Sequence, residues 1–315
     1  MPTLKARVRS LFSRNPTVHG WFVSLLSPFT IRLFALQRFL SVDELRAKAR
    51  ASMWRRVVRT TDDHLERAVI RQGKATFFYR DGCAFHATAE KASLSGALFA
   101  HADYEPNETK LMSTVVSEGW TVIDVGANFG WHAIHLSKLV GARGRVIAFE
   151  PILPSFEELA ANRQLNDCQN LSIENIALGN ADGMATFYLP QIELGSGAAS
   201  QFLDAGRPMP VRMRQLDDVL EELGISRVDF LKVDVEGGEL NVLRGASRLL
   251  RRCRPSILVE NVDMHCKRFG HMPRDVVQFF TEHGYQGKYV DEKGELISFA
   301  EERPPNGNFY FTATG

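Results

Sequence analysis

A chain of 315 residues, 44% hydrophobic and with a formal net charge of +1, can bury a sizeable core, and its length allows roughly two domains. That composition excludes a disordered or low-complexity protein. Four cysteines, at 83, 168, 253 and 266, form neither a CxxC pair nor a dense framework, so reduced thiols in a cytosolic setting are expected and structural zinc is not.

The near-neutral total hides an asymmetry. Residues 1–60 hold 12 Lys and Arg against Asp43 and Glu44, a net of +10, so the remainder carries −9. Such a basic end can meet anionic lipid, nucleic acid or an acidic partner, or be the solvated face of ordinary helices. Within it, "NPTVHGWFVSLLSPFTI" (15–31) is uncharged. Pro16, Gly20 and Pro28 interrupt it, no small-x-small cleavage pattern follows, and Arg32 arrives before ~18–20 apolar residues accumulate, which argues against a signal peptide or a spanning helix. Leu33, Phe34, Leu36, Phe39 and Leu40 beside Arg32 and Arg38 would suit a peripheral membrane contact. A helix docked on its own domain uses the same residues and is the commoner fate.

Residues 41–72 are rich in helix formers, with Asp43 and Glu44 near the start, and predict one or two helices. "ATFFYRDGCAFHATA" (75–89) predicts two short strands about Asp81-Gly82, a pair suited to a tight turn with both central residues at positive φ. Residues 1–100 are therefore expected to form a basic helical region plus a β-hairpin, and 101–315 a second domain. "YEPNETKLMSTVVSEGW" (104–120) predicts a helix ending at Gly119.

From Thr121 the texture changes to apolar runs alternating with helices. "TVIDVG" (121–126), "RVIAFE" (145–150), "LSIENIAL" (171–178), "DFLKVDVEG" (229–237) and "SILVENV" (256–262) predict strands; "WHAIHLSKLV" (131–140), "SFEELAANRQL" (155–165), "LDDVLEELG" (216–224) and "GELNVLRGASRLLRRC" (238–253) predict helices. This pattern specifies an α/β fold with a parallel sheet covered on both faces, whose ligands lie beyond the carboxyl ends of the strands.

The first strand ends in Asp124-Val-Gly126-Ala-Asn128-Phe-Gly130. A dinucleotide turn reads GxGxxG, and here Asn128 occupies the place of the second glycine. Asp124 would repel a pyrophosphate but would attract a cation or accept hydrogen bonds from an ammonium or hydroxyl. Glu150, before Pro151 at the end of the second strand, can accept both hydroxyls of a ribose. Together they select a nucleoside with positive charge and no phosphate, a description that S-adenosylmethionine fits. A purely structural strand-to-helix link would use the same two glycines.

"VIDVGANFGWHAIHLSKLVGARGRVIAFEP", "ENIALGNADG", "VRMRQLDDVLEELG", "VDFLKVDVEGGELNVLRGASRLL" and "PSILVEN" resemble, in order and spacing, the FkbM-type S-adenosylmethionine-dependent methyltransferases. The resemblance runs from Tyr104 to "NFYFTAT", roughly two thirds of the chain. It implies a class I methyltransferase fold, Rossmann-like, with a seven-stranded mostly parallel sheet whose last strand is antiparallel, here carrying an N-terminal helical and hairpin extension. It also implies that Asp124, Gly126, Asn128 and Gly130 surround the methionyl part of S-adenosylmethionine. Glu150 and Pro151 would meet the ribose, and Ile176 and Ala177 the adenine. Trp131 and His132 depart from the residues common after the last glycine, and the bulk of Trp131 is expected at the pocket mouth.

Methyl transfer to a hydroxyl needs alignment, exclusion of water and a place for the proton. "KVDVEGGE" offers Lys232, Asp234, Glu236 and Glu239, the first three on one side if the strand runs that far. Asp234 or Glu236 would orient the hydroxyl or take its proton; alternatively they brace Lys232 and the Gly237-Gly238 turn. Glu260 and His265 are the next catalytic candidates, although a histidine in a loop is more often polar surface. His132 and His135, three apart on a helix, can share a face but lack a third ligand, so no metal is expected there. "LPQIELGSGAASQFLDAGRPMP" (189–210) reads as a substrate loop or a surface connection.

The expected activity is O-methylation of a hydroxyl on a carbohydrate, glycolipid or secondary metabolite by a cytoplasmic protein with a peripheral membrane contact through residues 1–60. An NAD-dependent oxidoreductase lacks its GxGxxG. A nucleic-acid-associated methyltransferase would use the +10 segment but lacks the Asn/Asp-Pro-Pro-aromatic signature, so no nucleic acid is expected.

Overall fold

The computed structural model describes residues 65–71, 74–88, 104–190, 206–291, 293–300 and 306–315. The basic run 1–60 and the helices expected over 41–64 lie outside the described residues. Residues 60–315 form one compact unit. No helix among the described residues is long and apolar enough to cross a membrane.

The first described elements are strands β1 (Leu65–Arg71), β2 (Lys74–Tyr79) and β3 (Ala84–Thr88), an antiparallel sheet in that order. Residues 65–71 were expected to end a helix. They are extended instead, because pairing with β2 from Leu65↔Tyr79 to Arg71↔Lys74 overrides a weak local propensity. The β2–β3 turn also differs from expectation. Only Gly82 has positive φ, 82°, and the Tyr79 N–H and carbonyl bond Cys83 and Gly82 at 2.8 and 2.9 Å, which is a three-residue loop closed by a left-handed glycine.

The remaining elements in chain order are α1 (Pro106–Val115), β4 (Thr121–Val125), α2 (Trp131–Val140), β5 (Arg145–Phe149), α3 (Leu153–Leu165), β6 (Leu171–Glu174), β7 (Ala177–Leu178), β8 (Gly183–Pro190) and β9 (Gly206–Arg214). They continue with α4 (Leu216–Glu222), β10 (Phe230–Val233), α5 (Glu239–Arg244), α6 (Ser247–Cys253), β11 (Ser256–Asn261), α7 (Asp263–Arg268), α8 (Pro273–Glu282), β12 (Tyr285–Val290), β13 (Leu296–Ile297) and β14 (Gly307–Ala313). The central sheet has the order β13-β12-β14-β11-β10-β4-β5-β6. Strands β6, β5, β4, β10 and β11 are mutually parallel, and β14 runs antiparallel to both β11 and β12. This is the class I methyltransferase sheet, with β13 as an added edge strand.

Three predicted segments divide. "LSIENIAL" splits into β6, in the central sheet, and β7, which pairs with β9 in a separate sheet of order β7-β9-β8. Residues 206–210, expected in a loop, begin β9 and pair with β8. The helix expected over 238–253 breaks at Gly245, where a Cβ would lie 2.0 Å from the Gly179 carbonyl oxygen, so the chain there passes too close for any side chain.

Alternation along the strands sorts the core into two layers. Ile123, Val125, Leu231, Val233, Ile257 and Val259 face one cluster, while Val122, Phe230 and Leu258 face the other. Period two then puts Asp124, Lys232 and Glu260 on the second face, toward the strands' carboxyl ends. Parallel register sets Lys232 directly beside Asp124.

The hairpin packs on this second face. Phe85 is fully buried, its ring 4.7 Å from that of Trp131, and the Ala84 and His86 N–H groups donate to Asn166 and Asn162 of α3 at 2.8 Å each. His135 of α2 fastens the turn. One ring nitrogen is 3.0 Å from Asp81 Oδ2 and the other 2.7 Å from the Trp131 carbonyl oxygen, so both donate and the ring is an imidazolium. Burial alone would lower its pKa, but the Asp81 hydrogen bond outweighs that and raises it to about 10; burial raises Asp81, and its bond to His135 reverses this, to about 2. The sign follows. The histidine's contribution to stability is complete below its unfolded pKa of 6.5 and is lost as pH rises toward 10, while that of Asp81 is complete above 3.8 and lost as pH falls toward 2. Thermal unfolding of the wild type should therefore show a fall in Tm between pH 7 and 10 that is absent in His135→Gln; parallel curves would refute the coupling. Half-exposure of Asp81 keeps the effect modest.

Candidate active site

The cleft opens at the carboxyl ends of β4, β5, β10 and β11, and both predicted groups of site residues meet there. Gly126 and Asn128 line one wall, while Asp124 and Gly130, on either side of them in the chain, are buried. Asp124 is fully buried, and neither carboxylate oxygen has a hydrogen-bond partner among the described residues. Burial therefore raises its pKa, against the opposing charges of Lys232 and then His132. A buried anion without a donor is costly, and a ligand bringing an N–H to it removes that cost.

The turn that follows is shaped by the protein as much as by any ligand. Gly126 has φ 84°, and a Cβ there would fall 1.8 Å from the Asp234 carbonyl oxygen; at Gly130, φ 95°, it would fall 2.6 Å from Leu159 Cδ1. Both glycines were expected to make room for a ligand, yet the space is already taken by the β10 turn and by α3. Asn128 also has positive φ, 50°, which asparagine tolerates better than most residues.

Glu150 caps this turn. Its two oxygens accept the Asn128 and Ile152 N–H groups, each at 2.8 Å, and the residue lines the cleft. Asn175 Nδ2 donates to the carbonyls of Glu150 and Pro151, fixing the strand end. Ile176 and Ala177 line the far side of the same cleft.

The opposite end of the cleft is built from β10 and β11. Strand β10 stops at Val233, so Asp234 and Glu236 lie in the turn beyond it, and Glu236 has φ 58°. The single-face argument therefore holds for Lys232 but does not extend to Glu236. Asp234 accepts the buried Lys232 ammonium at 3.0 Å, and the bracing role that was the alternative reading falls to it alone. Burial would lower the Lys232 pKa, but Asp234, Asp124 and Glu105 together push it up. The Gly237-Gly238 turn is braced instead by Glu239, whose Oε1 accepts the N–H groups of Val235 and Gly237 at 3.0 Å each.

Glu236, Glu260 and His265 converge. His265 Nδ1 lies 3.1 Å from Glu236 Oε2 and 3.5 Å from Glu260 Oε2. Burial first, then the neighbouring carboxylates, raise Glu236 to about 9 and Glu260 to about 7; burial and Glu260 raise Glu239 to about 8. His265 is thus part of the cleft's carboxylate group rather than loop surface.

His132 and His135 do not act together. His132, 5% exposed, is 2.6 Å from Glu105 Oε2, whereas His135 serves the hairpin. Burial works against ionisation of Glu105, but the His132 contact dominates and lowers it to about 2. Trp131 lines the cleft from within the core. It is 3% exposed, packed among Tyr79, Phe85 and Tyr104, and its ring N–H donates to Thr109 Oγ1 at 3.1 Å. Glu105, the partner of His132, was not legible as a site residue. Glu105 precedes Pro106 in a stretch that reads only as a helix start.

A model of the methyltransferase FkbM domain matches residues 124–286, more than half of the chain. The protein belongs to the FkbM methyltransferase family. Curated relatives share parts of the chain. The AMB antimetabolite synthetase AmbE of Pseudomonas aeruginosa is 30% identical over 47% of this chain and 8% of its own length. The hexuronic acid methyltransferase AglP of Haloferax volcanii is 25% identical over 56% of this chain and 68% of its own. The solved methyltransferase FkbM of Methylobacillus flagellatus is 16% identical, with a TM-score of 0.43 over 71% of this chain and 55% of that one. The chain thus spans less than a tenth of AmbE. The matched FkbM segment contains Asp124, Glu150, residues 232–239 and the Glu260–His265 pair, so most of the cleft lining is family sequence. The hairpin and Glu105 lie outside it.

Proposed function

We propose that this FkbM-family protein transfers the methyl group of S-adenosylmethionine to a hydroxyl of a carbohydrate, glycolipid or secondary metabolite. The observation that carries this reading is Asp124, a fully buried carboxylate with no donor to either oxygen among the described residues, two residues before Gly126, which lines the same cleft as Glu150. An amino-acid ammonium satisfies the first and a ribose diol the second, while a pyrophosphate beside Asp124 would be repelled. In this reading Ile176 and Ala177 meet the adenine, and Gly126, Asn128 and Gly130 hold the turn around the methionyl part. Similarity to AglP, a hexuronic acid methyltransferase, supports a sugar as acceptor.

When bound, the sulfonium supplies an already activated methyl group, so this chain's residues chiefly align the acceptor oxygen and exclude water. The acceptor hydroxyl loses its proton as its oxygen takes the methyl group, and in this reading a carboxylate among Asp234, Glu236 and Glu260, which line the cleft, would receive it. Calorimetry with S-adenosylmethionine and S-adenosylhomocysteine, followed by transfer of labelled methyl to a panel of glycans and lipids, tests the reading. Failure to bind either nucleoside would overturn it.

Glu236→Gln should leave S-adenosylmethionine affinity within a few-fold of wild type and lower kcat by about 10²–10⁴, the range for an acid–base group. An equal loss in affinity and turnover would instead assign Glu236 to support of the turn. We further propose that the basic run 1–60 meets an anionic membrane surface. Sedimentation with anionic vesicles that persists unchanged at high salt would refute this.

A further inference from the structure

We propose that Glu236, Glu260 and His265 form a binding site for a divalent cation of borderline hardness, with Mn²⁺ the best match. Three separate parts of the chain deliver the donors: the turn after β10, the end of β11, and α7. One oxygen from each glutamate and one ring nitrogen all lie within 4.8 Å of one another. Ligands about 2.1 Å from one ion sit roughly 3.0 Å apart in adjacent octahedral positions and roughly 3.4 Å apart in tetrahedral ones. The Nδ1 distances of 3.1 and 3.5 Å to the two carboxylates match that spacing.

These donors are also unspent. His265 Nδ1 is shielded from solvent and, close as both carboxylates are, makes no hydrogen bond of acceptable geometry. The two carboxylate oxygens and Nδ1 are grouped closely enough for one cation to bond all three. Neighbouring groups that resemble ligands are occupied elsewhere. Glu239 accepts two backbone N–H groups, Asp234 holds Lys232, and Asn261 donates to the Pro273 carbonyl while accepting from the Cys266 thiol. The other group of potential ligands, Asp81, Cys83 and His135, fails the same criterion because both nitrogens of His135 already donate.

Two carboxylates and an imidazole suit a metal between the hard cations that prefer oxygen and the softer ones that prefer nitrogen. Three protein ligands leave positions open, and Glu236 and Glu260 line the cleft. Resting on the proposed methyl transfer, the ion would raise the acidity of an acceptor hydroxyl there, and Asp234, outside the triad, would receive its proton. The C–O bond then forms as the C–S bond breaks, with no other co-reactant.

The test uses the full-length chain after chelator treatment and dialysis, without S-adenosylmethionine. Titration with Mn²⁺, followed by loss of the free-ion paramagnetic resonance signal and by calorimetry, should show one site per chain, with competition by Zn²⁺. Glu260→Gln and His265→Asn, each checked for native circular dichroism, should weaken Mn²⁺ binding at least tenfold. Absence of binding of Mn²⁺, Zn²⁺ and Mg²⁺ at millimolar concentration, or wild-type affinity in both folded variants, would overturn the site. The two proposals fail separately. S-adenosylmethionine binding without Mn²⁺ binding removes the cation site and keeps the methyl transfer, and the reverse result does the opposite.

Discussion

Asp124→Asn should weaken binding of S-adenosylmethionine and S-adenosylhomocysteine by the same factor, about 10- to 100-fold, or ~1–3 kcal/mol for a charge-assisted hydrogen bond. The equality is the informative part. Both nucleosides carry the ammonium, and only one carries the sulfonium, so a carboxylate that recognises the ammonium cannot distinguish them. The substitution keeps the shape of a side chain with no exposed surface and leaves Lys232 its partner Asp234, so the fold should persist. Calorimetry on both ligands decides it. A loss confined to S-adenosylmethionine would move Asp124 to the sulfonium, and unchanged affinity for both would remove it from the site.

Gly126→Ala should be among the most damaging single-methyl additions available in this protein, at about 2–5 kcal/mol. Left-handed backbone costs an alanine roughly 1–2 kcal/mol, and forced overpacking adds about 1–3. Here the added carbon would meet backbone: the Asp234 carbonyl oxygen at 1.8 Å, part of a turn that cannot simply rotate away. Gly119→Ala is the control. It has nearly the same φ, 81°, with nothing within 4 Å of the new carbon, so only the conformational part should remain. At about 2–4 °C per kcal/mol for a unit of this size, the two variants should differ in Tm by several degrees. Equal Tm values would show that the β10 turn yields, and that the close approach is not a constraint.

The sheet was legible because its strands are buried on both faces and separated by amphipathic helices; every central strand from β4 to β11 begins where its apolar run does. The residues assigned to the cofactor stood out in the sequence for a different reason. Asp124 and Glu150 are acidic residues at the ends of otherwise apolar strands, which burial alone would not place there. What escaped the sequence depends on contacts distant along the chain. LERAVIR has a helix former's composition and becomes a strand only because β2 is there to pair with it. The division of 238–253 at Gly245 is set by Gly179, more than sixty residues earlier. Glu239 and Glu236 are chemically alike and three residues apart, and only the fold decides that one binds backbone N–H groups while the other faces His265.

Asn162 has no exposed surface, and its amide joins two things that the sequence keeps far apart. It donates to the Phe129 carbonyl of the glycine turn at 2.8 Å and accepts the His86 N–H of the hairpin. A fragment cut to the family's matching segment would keep the donor side of that amide, lose its acceptor-side partner and uncover the aromatic face of Trp131. The hairpin is therefore part of the packing around the glycine turn although it lies outside the region of family likeness. Changes in the hairpin are in consequence one hydrogen-bonded residue away from the loop that would grip the cofactor.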